Sequence, residues 1–144
     1  LKALSLRQLS LYWLPPLALT AGILIFSGDL GSSANTQKLV QWLLTWFPGL
    51  GEYQFPAGQG YLRKAGHMLA YGSLYLLWFR AMFWRFSTRR GAAVLWSLAF
   101  CLLVALADEG HQSFFSSRTG SLSDVALDFG AALLAALAFS LKRI

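Results

Sequence analysis

From Leu9 to Phe26 the chain runs for 18 residues without a charged side chain. A bilayer core about 30 Å thick is crossed by roughly 20 apolar residues in helical form. Helix is required there because lipid offers no partner to backbone N–H and C=O groups. Three further runs follow: about Lys64–Trp84, Gly91–Ala107 and about Leu122–Leu141. The third is the shortest at 17 residues, about 26 Å at 1.5 Å per residue. These runs predict an all-α, polytopic transmembrane bundle of four helices. Composition agrees: 12% of the 144 residues are charged and 56% are hydrophobic, against roughly 25% charged in soluble domains. So little charge cannot cover a solvated surface, and this length leaves room for one domain, 1–144. The lipid bilayer is the first partner implied.

Pro15 and Pro16 lie inside the first run, where two adjacent nitrogens without N–H must kink a helix or delay its start. That run resembles a signal peptide in length, but Ser27–Asn35 offers no convincing cleavage site with small residues at both recognition positions, so it is expected to be retained. The first connection, Ser27–Arg63, is the longest. Within it Thr36–Phe47 is amphipathic and too short to cross; Trp42 and Trp46 suit a short interfacial helix. Cys101, the single cysteine, reads as a small packed hydrophobe.

The net charge of +6 would suit nucleic acid, but the basic residues flank apolar runs, form no stripe and belong to no nucleic-acid motif. They read instead as topology determinants. Lys2, Arg7, Arg80, Arg85, Arg89, Arg90, Lys142 and Arg143 fall on one side with no acid. Lys38, Arg63, Lys64 and Arg118 fall on the other with all six acids. The positive-inside rule then puts both termini in the cytoplasm of a multi-pass protein.

This placement gathers unusual polar residues at the outer ends of three spans. Lys64, His67, Tyr71 and Tyr75 fall within about 80° of arc on a helix. Asp108 and Gln112 share a face if the third helix continues by one turn, with Glu109 beside them. Asp124 and Asp128 share a face at the start of the fourth, and Arg118 lies in the loop before it. Such charges usually face a bundle interior or an aqueous cavity. Plainer roles stand beside this one. Ser121 with Asp124 fits a helix-start box. Asp108 and Glu109 suit a span end, Tyr71 and Tyr75 suit packing, and His67 suits a buried carboxylate partner. His111 reads as a solvated loop residue. Asp128 lies too deep for capping and needs a partner, for which Lys64 and Arg118 are the candidates.

The segment Arg63-Lys64-Ala-Gly-His67 resembles the Lys-x-x-His signature of the VanZ-like membrane proteins. Asp108-Glu109-Gly-His-Gln112 resembles that family's Asp-Glu-x-x-Gln signature. Arg118, Asp124 and Asp128-Phe-Gly130 follow at the spacing of its Arg…Asp-x-x-x-Asn-x-x-Gly tail. The region covered is about 63–132. Position 63 departs from the family's frequent Asp, and position 128 is Asp where the family usually has Asn. The resemblance implies a bacterial envelope protein of the inner (cytoplasmic) membrane. The founding member is associated with low-level teicoplanin resistance; most members lie outside resistance clusters, so that phenotype is not assigned to this chain.

Two functional readings follow. In the first, an outward-facing polar pocket binds or modifies an anionic envelope component, such as a lipid-linked glycan or phosphate. Lys64 and Arg118 would hold the anion, with Tyr71, Gln112, Asp124 and Asp128 completing the binding set. His67 with Asp108 or Glu109 would be the acid–base pair if chemistry occurs; the sequence does not decide whether the protein is an enzyme. In the second, the chain is a non-catalytic accessory subunit of a larger membrane complex, and the polar cluster locks its own helices together. A proton path is disfavoured because polar residues do not continue down the spans. No cofactor is expected. Nor is a metal site, since no close His-x-x-x-His spacing exists.

Overall fold

A computed structural model describes residues 5–28, 35, 37–38, 41–42, 45–46, 58–86, 89–115 and 120–141. Its elements are α1 (Leu6–Tyr12), α2 (Leu14–Phe26), α3 (Gly58–Phe86), α4 (Arg90–Gln112) and α5 (Leu122–Leu141). Among the described residues there is no strand.

The first expected span is two helices bent by 44°. The break falls at Trp13, and α2 opens with Pro15 and Pro16 in its first turn. Prolines lose nothing there, because the first four N–H groups of a helix have no intrahelical acceptor. α1 begins on a capping box in which Ser5 and Gln8 each accept the other's backbone N–H.

α4 and α5 are long and apolar enough to cross a membrane, and α1 with α2 qualifies as a bent pair. α3 does not qualify on composition, although its 29 residues would reach about 43 Å. Its polar residues lower its hydropathy, and several of these turn inward. Half of the expected interfacial helix at 36–47 lies outside the described residues. Within it Trp42 and Trp46 are exposed, with rings meeting edge-on at 6.0 Å.

α3, α4 and α5 pack on one another, and α2 lies against α3 and α4. The core face of α3 is Tyr71, Leu74, Tyr75, Trp78, Phe79 and Met82, all buried. That spacing of three and four is one stripe of a helix. α5 answers these bulky side chains with Ala131, Ala132 and Ala136. At Gly72 an added methyl would already touch the Ala131 carbonyl oxygen and Ala135 Cβ at 4.0 Å. Small residues bring helix axes close where lipid gives no hydrophobic drive for association. Outward faces carry Leu69, Leu95, Leu103, Leu134 and Leu137, as contact with lipid requires.

At one end, Tyr12 of α1 stacks on Trp84 of α3 at 4.8 Å, and the Arg80 guanidinium lies 4.9 Å from the Tyr12 ring centre. Arg90 donates to the Phe139 carbonyl at 3.3 Å across the same end. The polar cluster occupies the other end.

Candidate functional site

Three helix ends and one helix flank meet at the cluster: the end of α2, the end of α4, the start of α5 and the first half of α3. α4 continues past Ala107 to Gln112, so Asp108 and Gln112 share its inner face. Asp108 is 1% exposed, Glu109 6% and Gln112 2%. These are not acids ending a span in water.

Asp128 is fully buried, about 9 Å along α5 from Leu122. Its partner among the described residues is His67, not Lys64. His67 Nδ1–H donates to both carboxylate oxygens, at 3.2 and 3.1 Å. A half-buried imidazole reaches Asp128 from α3, whereas the Lys64 side chain, one turn earlier, is exposed at the rim. Arg118 lies outside the described residues.

Asp108 is held from two sides. Tyr71, buried on α3, donates its hydroxyl to Asp108 Oδ2 at 3.2 Å. Ser27, at the end of α2, donates its hydroxyl to the Asp108 backbone carbonyl at 3.0 Å. Asp108 Oδ1 is buried and has no hydrogen-bond partner among the described residues.

Glu109 has different work. Its Oε2 accepts the Ser121 backbone N–H at 2.8 Å, and its Oε1 accepts from Gln112 Nε2 at 3.2 Å. The reciprocal arm of the helix-start box expected from Asp124 is therefore supplied by α4. Gly120 permits this approach, since a Cβ there would overlap the Glu109 carbonyl oxygen. Asp124 is freed to face Arg63 at 3.8 Å, with both side chains partly exposed. Ser121 Oγ accepts the Ser123 N–H at 3.2 Å, which completes the start of α5.

His111 is exposed in the last turn of α4, a correction to the loop position expected for it; its ring meets Phe115 edge-on at 5.0 Å. Tyr75 lies deeper than the cluster, among core aromatics. The stripe read on α3 is thus divided by depth: Lys64 at the rim, His67 and Tyr71 in the cluster, Tyr75 in the core. Below it, Ser97 and Ser140 donate to carbonyls one turn back on their own helices.

Two cavities adjoin the cluster. One, about 150 Å³, is lined by Ile23, Phe26 and Ser27 of α2, by Gly66, His67, Ala70 and Tyr71 of α3, and by Asp108. Ser27, His67, Tyr71 and Asp108 are its polar lining, and Ile23 and Phe26 its apolar lining on α2. The other, about 10 Å³, is lined by Arg63, Lys64, His67, Glu109, Gln112, Asp124, Leu127 and Asp128. An imidazole oriented by a carboxylate and facing a cavity can pass a proton. His67, Asp108 and Asp128 also offer ligand atoms within 4.8 Å of one another. They come from three helices, so local His spacing carried no trace of them. Ser27 was equally invisible, as an ordinary turn residue far from the motifs.

Compared with known families, the chain matches the model described as VanZ/LLP1 over residues 13–143, well beyond the 63–132 region of the motifs. No curated protein and no solved structure matches it.

Proposed function

The chain belongs to the VanZ/LLP1 family, and from that premise we propose a single-domain bacterial inner-membrane protein that binds an anionic, lipid-linked envelope molecule. In this reading it crosses the membrane four times, with both termini in the cytoplasm and the polar cluster at the outer end. The distribution of basic residues supports the orientation. The length of α3 and its inward-turned polar face support a fourth crossing.

One observation carries the binding reading: the cavity of about 150 Å³ combines a polar lining of His67, Tyr71 and Asp108 with an apolar lining of Ile23 and Phe26. That lining suits an amphiphile, with a hydrocarbon chain along α2 and an anionic headgroup donated to by Tyr71 or His67 and turned toward Lys64 and Arg63. Lys64 and Arg63 line the adjoining space and supply positive charge at the rim. Arg118 keeps its place as a second anion-holding residue through its motif. His67, oriented by Asp128, is the group positioned for proton transfer.

The test uses purified protein in lipid nanodiscs, titrated with a long-chain polyprenyl phosphate and with the uncharged polyprenol. The phosphate is expected to bind at least about tenfold more tightly, since each 1.4 kcal/mol of charge-assisted bonding is a factor of ten. Lys64→Ala is expected to erase most of that preference. Equal binding of the two lipids, or a preference indifferent to Lys64, removes the anion-binding reading. Co-purification at fixed stoichiometry with other membrane subunits would then favour the accessory role.

A further inference from the structure

We propose that His67, Asp108 and Asp128 form a binding site for a divalent transition cation, Zn2+ or Mn2+, ligated by His67 Nδ1 and one oxygen from each aspartate. The inference deepens the binding proposal, because it concerns the same cavity, but the metal is detectable without any lipid ligand.

Distances are the first support. His67 Nδ1 lies 3.1 Å from Asp128 Oδ2. Two ligand atoms on bonds of 2.0–2.1 Å at a tetrahedral angle sit roughly 3.3 Å apart. The pair is therefore already spaced as ligands of one ion. Asp108 brings the third atom, and all three lie within 4.8 Å of one another. To reach the tetrahedral spacing of about 3.3 Å the Asp108 atom would have to approach by up to about 1.5 Å, the movement that closes the set.

The second support is independent of the clustering. Asp108 Oδ1 is buried without a hydrogen-bond partner among the described residues, in a side chain 1% exposed. A buried carboxylate oxygen with nothing to accept from is costly. Asp108 is one of the three residues of the cluster, and a cation bound through Oδ1 would supply its missing partner. Charge balance points the same way. Two carboxylates and a neutral imidazole around a dication sum to zero. The metal takes the Nδ1 position that otherwise carries the proton shared with Asp128, and the ring proton then sits on Nε2.

The surroundings fit. Ligating carboxylates are usually held by outer hydrogen bonds, and the Tyr71 hydroxyl holds Asp108 through Oδ2 at 3.2 Å. One nitrogen with two carboxylate oxygens suits Zn2+ or Mn2+ better than Mg2+ or Ca2+, which prefer oxygen alone. Three protein ligands leave coordination positions open. His67, Tyr71 and Asp108 line the adjoining cavity, so an open position can take a phosphate oxygen from it.

The experiment strips the purified full chain with chelator and titrates it with Mn2+ alone, followed by electron paramagnetic resonance. One Mn2+ per chain is expected, with electron spin echo modulation from a single directly bound imidazole nitrogen. That signal should persist in His111→Gln and vanish in His67→Gln. Asp108→Asn should weaken binding at least about tenfold. Absence of nitrogen modulation in the wild type overturns the site whether or not any variant folds. So does a signal that survives in His67→Gln, or unchanged affinity in a folded Asp108→Asn protein. Polyprenyl phosphate binding that persists without a metal signal would sink this inference and leave the lipid-binding proposal standing.

Discussion

At one end of the bundle Asp108, Glu109 and Asp128 are buried, and each accepts at least one side-chain hydrogen bond from another part of the fold. At the other end Arg80, Arg89 and Arg90 are exposed, and two of them lie over aromatic rings. The acids are therefore bound into the packing, whereas the arginines decorate it. Long basic side chains reach a membrane surface on their own stems. Short carboxylates at similar depth cannot, so the fold must bring donors to them. The two ends should accordingly respond very differently to mutation.

The sharpest test of the contrast is which end faces outward. With Cys101 buried, cysteines placed at Ser123 and Gly91 report on opposite ends. An impermeant maleimide added outside intact cells should label Ser123→Cys and spare Gly91→Cys. The reverse pattern would invert the proposed orientation.

Stability changes should rank next. Glu109→Ala removes the acceptor of the part-buried Ser121 N–H and one bond to the buried Gln112 amide, at roughly 1–3 kcal/mol in all. A thermal melt in detergent should show it as the largest loss among single polar substitutions. Gly120→Ala forces a methyl against the Glu109 carbonyl, expected to cost about 1–3 kcal/mol through displaced packing. Tyr71→Phe removes one hydrogen bond to Asp108, about 1 kcal/mol. Arg63→Ala should change stability by less than about 1 kcal/mol, since its pair with Asp124 is long and partly exposed. If Arg63→Ala proved as damaging as Glu109→Ala, the distinction between built-in and decorative charge would fail.

The helices were largely legible because apolar runs report their own length: the fourth expected span and α5 share the bounds Leu122–Leu141. Where α4 ends was less so, because Asp108 and Glu109 look like surface acids unless their neighbours are known. Pairings between helices were the least legible. A carboxylate partner is expected for His67 from the sequence, but which carboxylate is not, since the bond to Asp128 spans 61 positions and charge alone points Asp128 to Lys64 or Arg118. The displacement of Asp124 from its box by Glu109 had no signal except the glycine at position 120. Ser27 had none at all.

The Glu109 bond to Ser121 has a consequence for how the chain is made. Synthesis proceeds from the N-terminus, so α4 emerges before α5 exists. When Ser121 follows, 12 positions later, the acceptor for its backbone N–H is already in place on a neighbouring helix. The first turn of α5 thus has its acceptor waiting on α4, and the bond fastens the start of one helix to the end of the other.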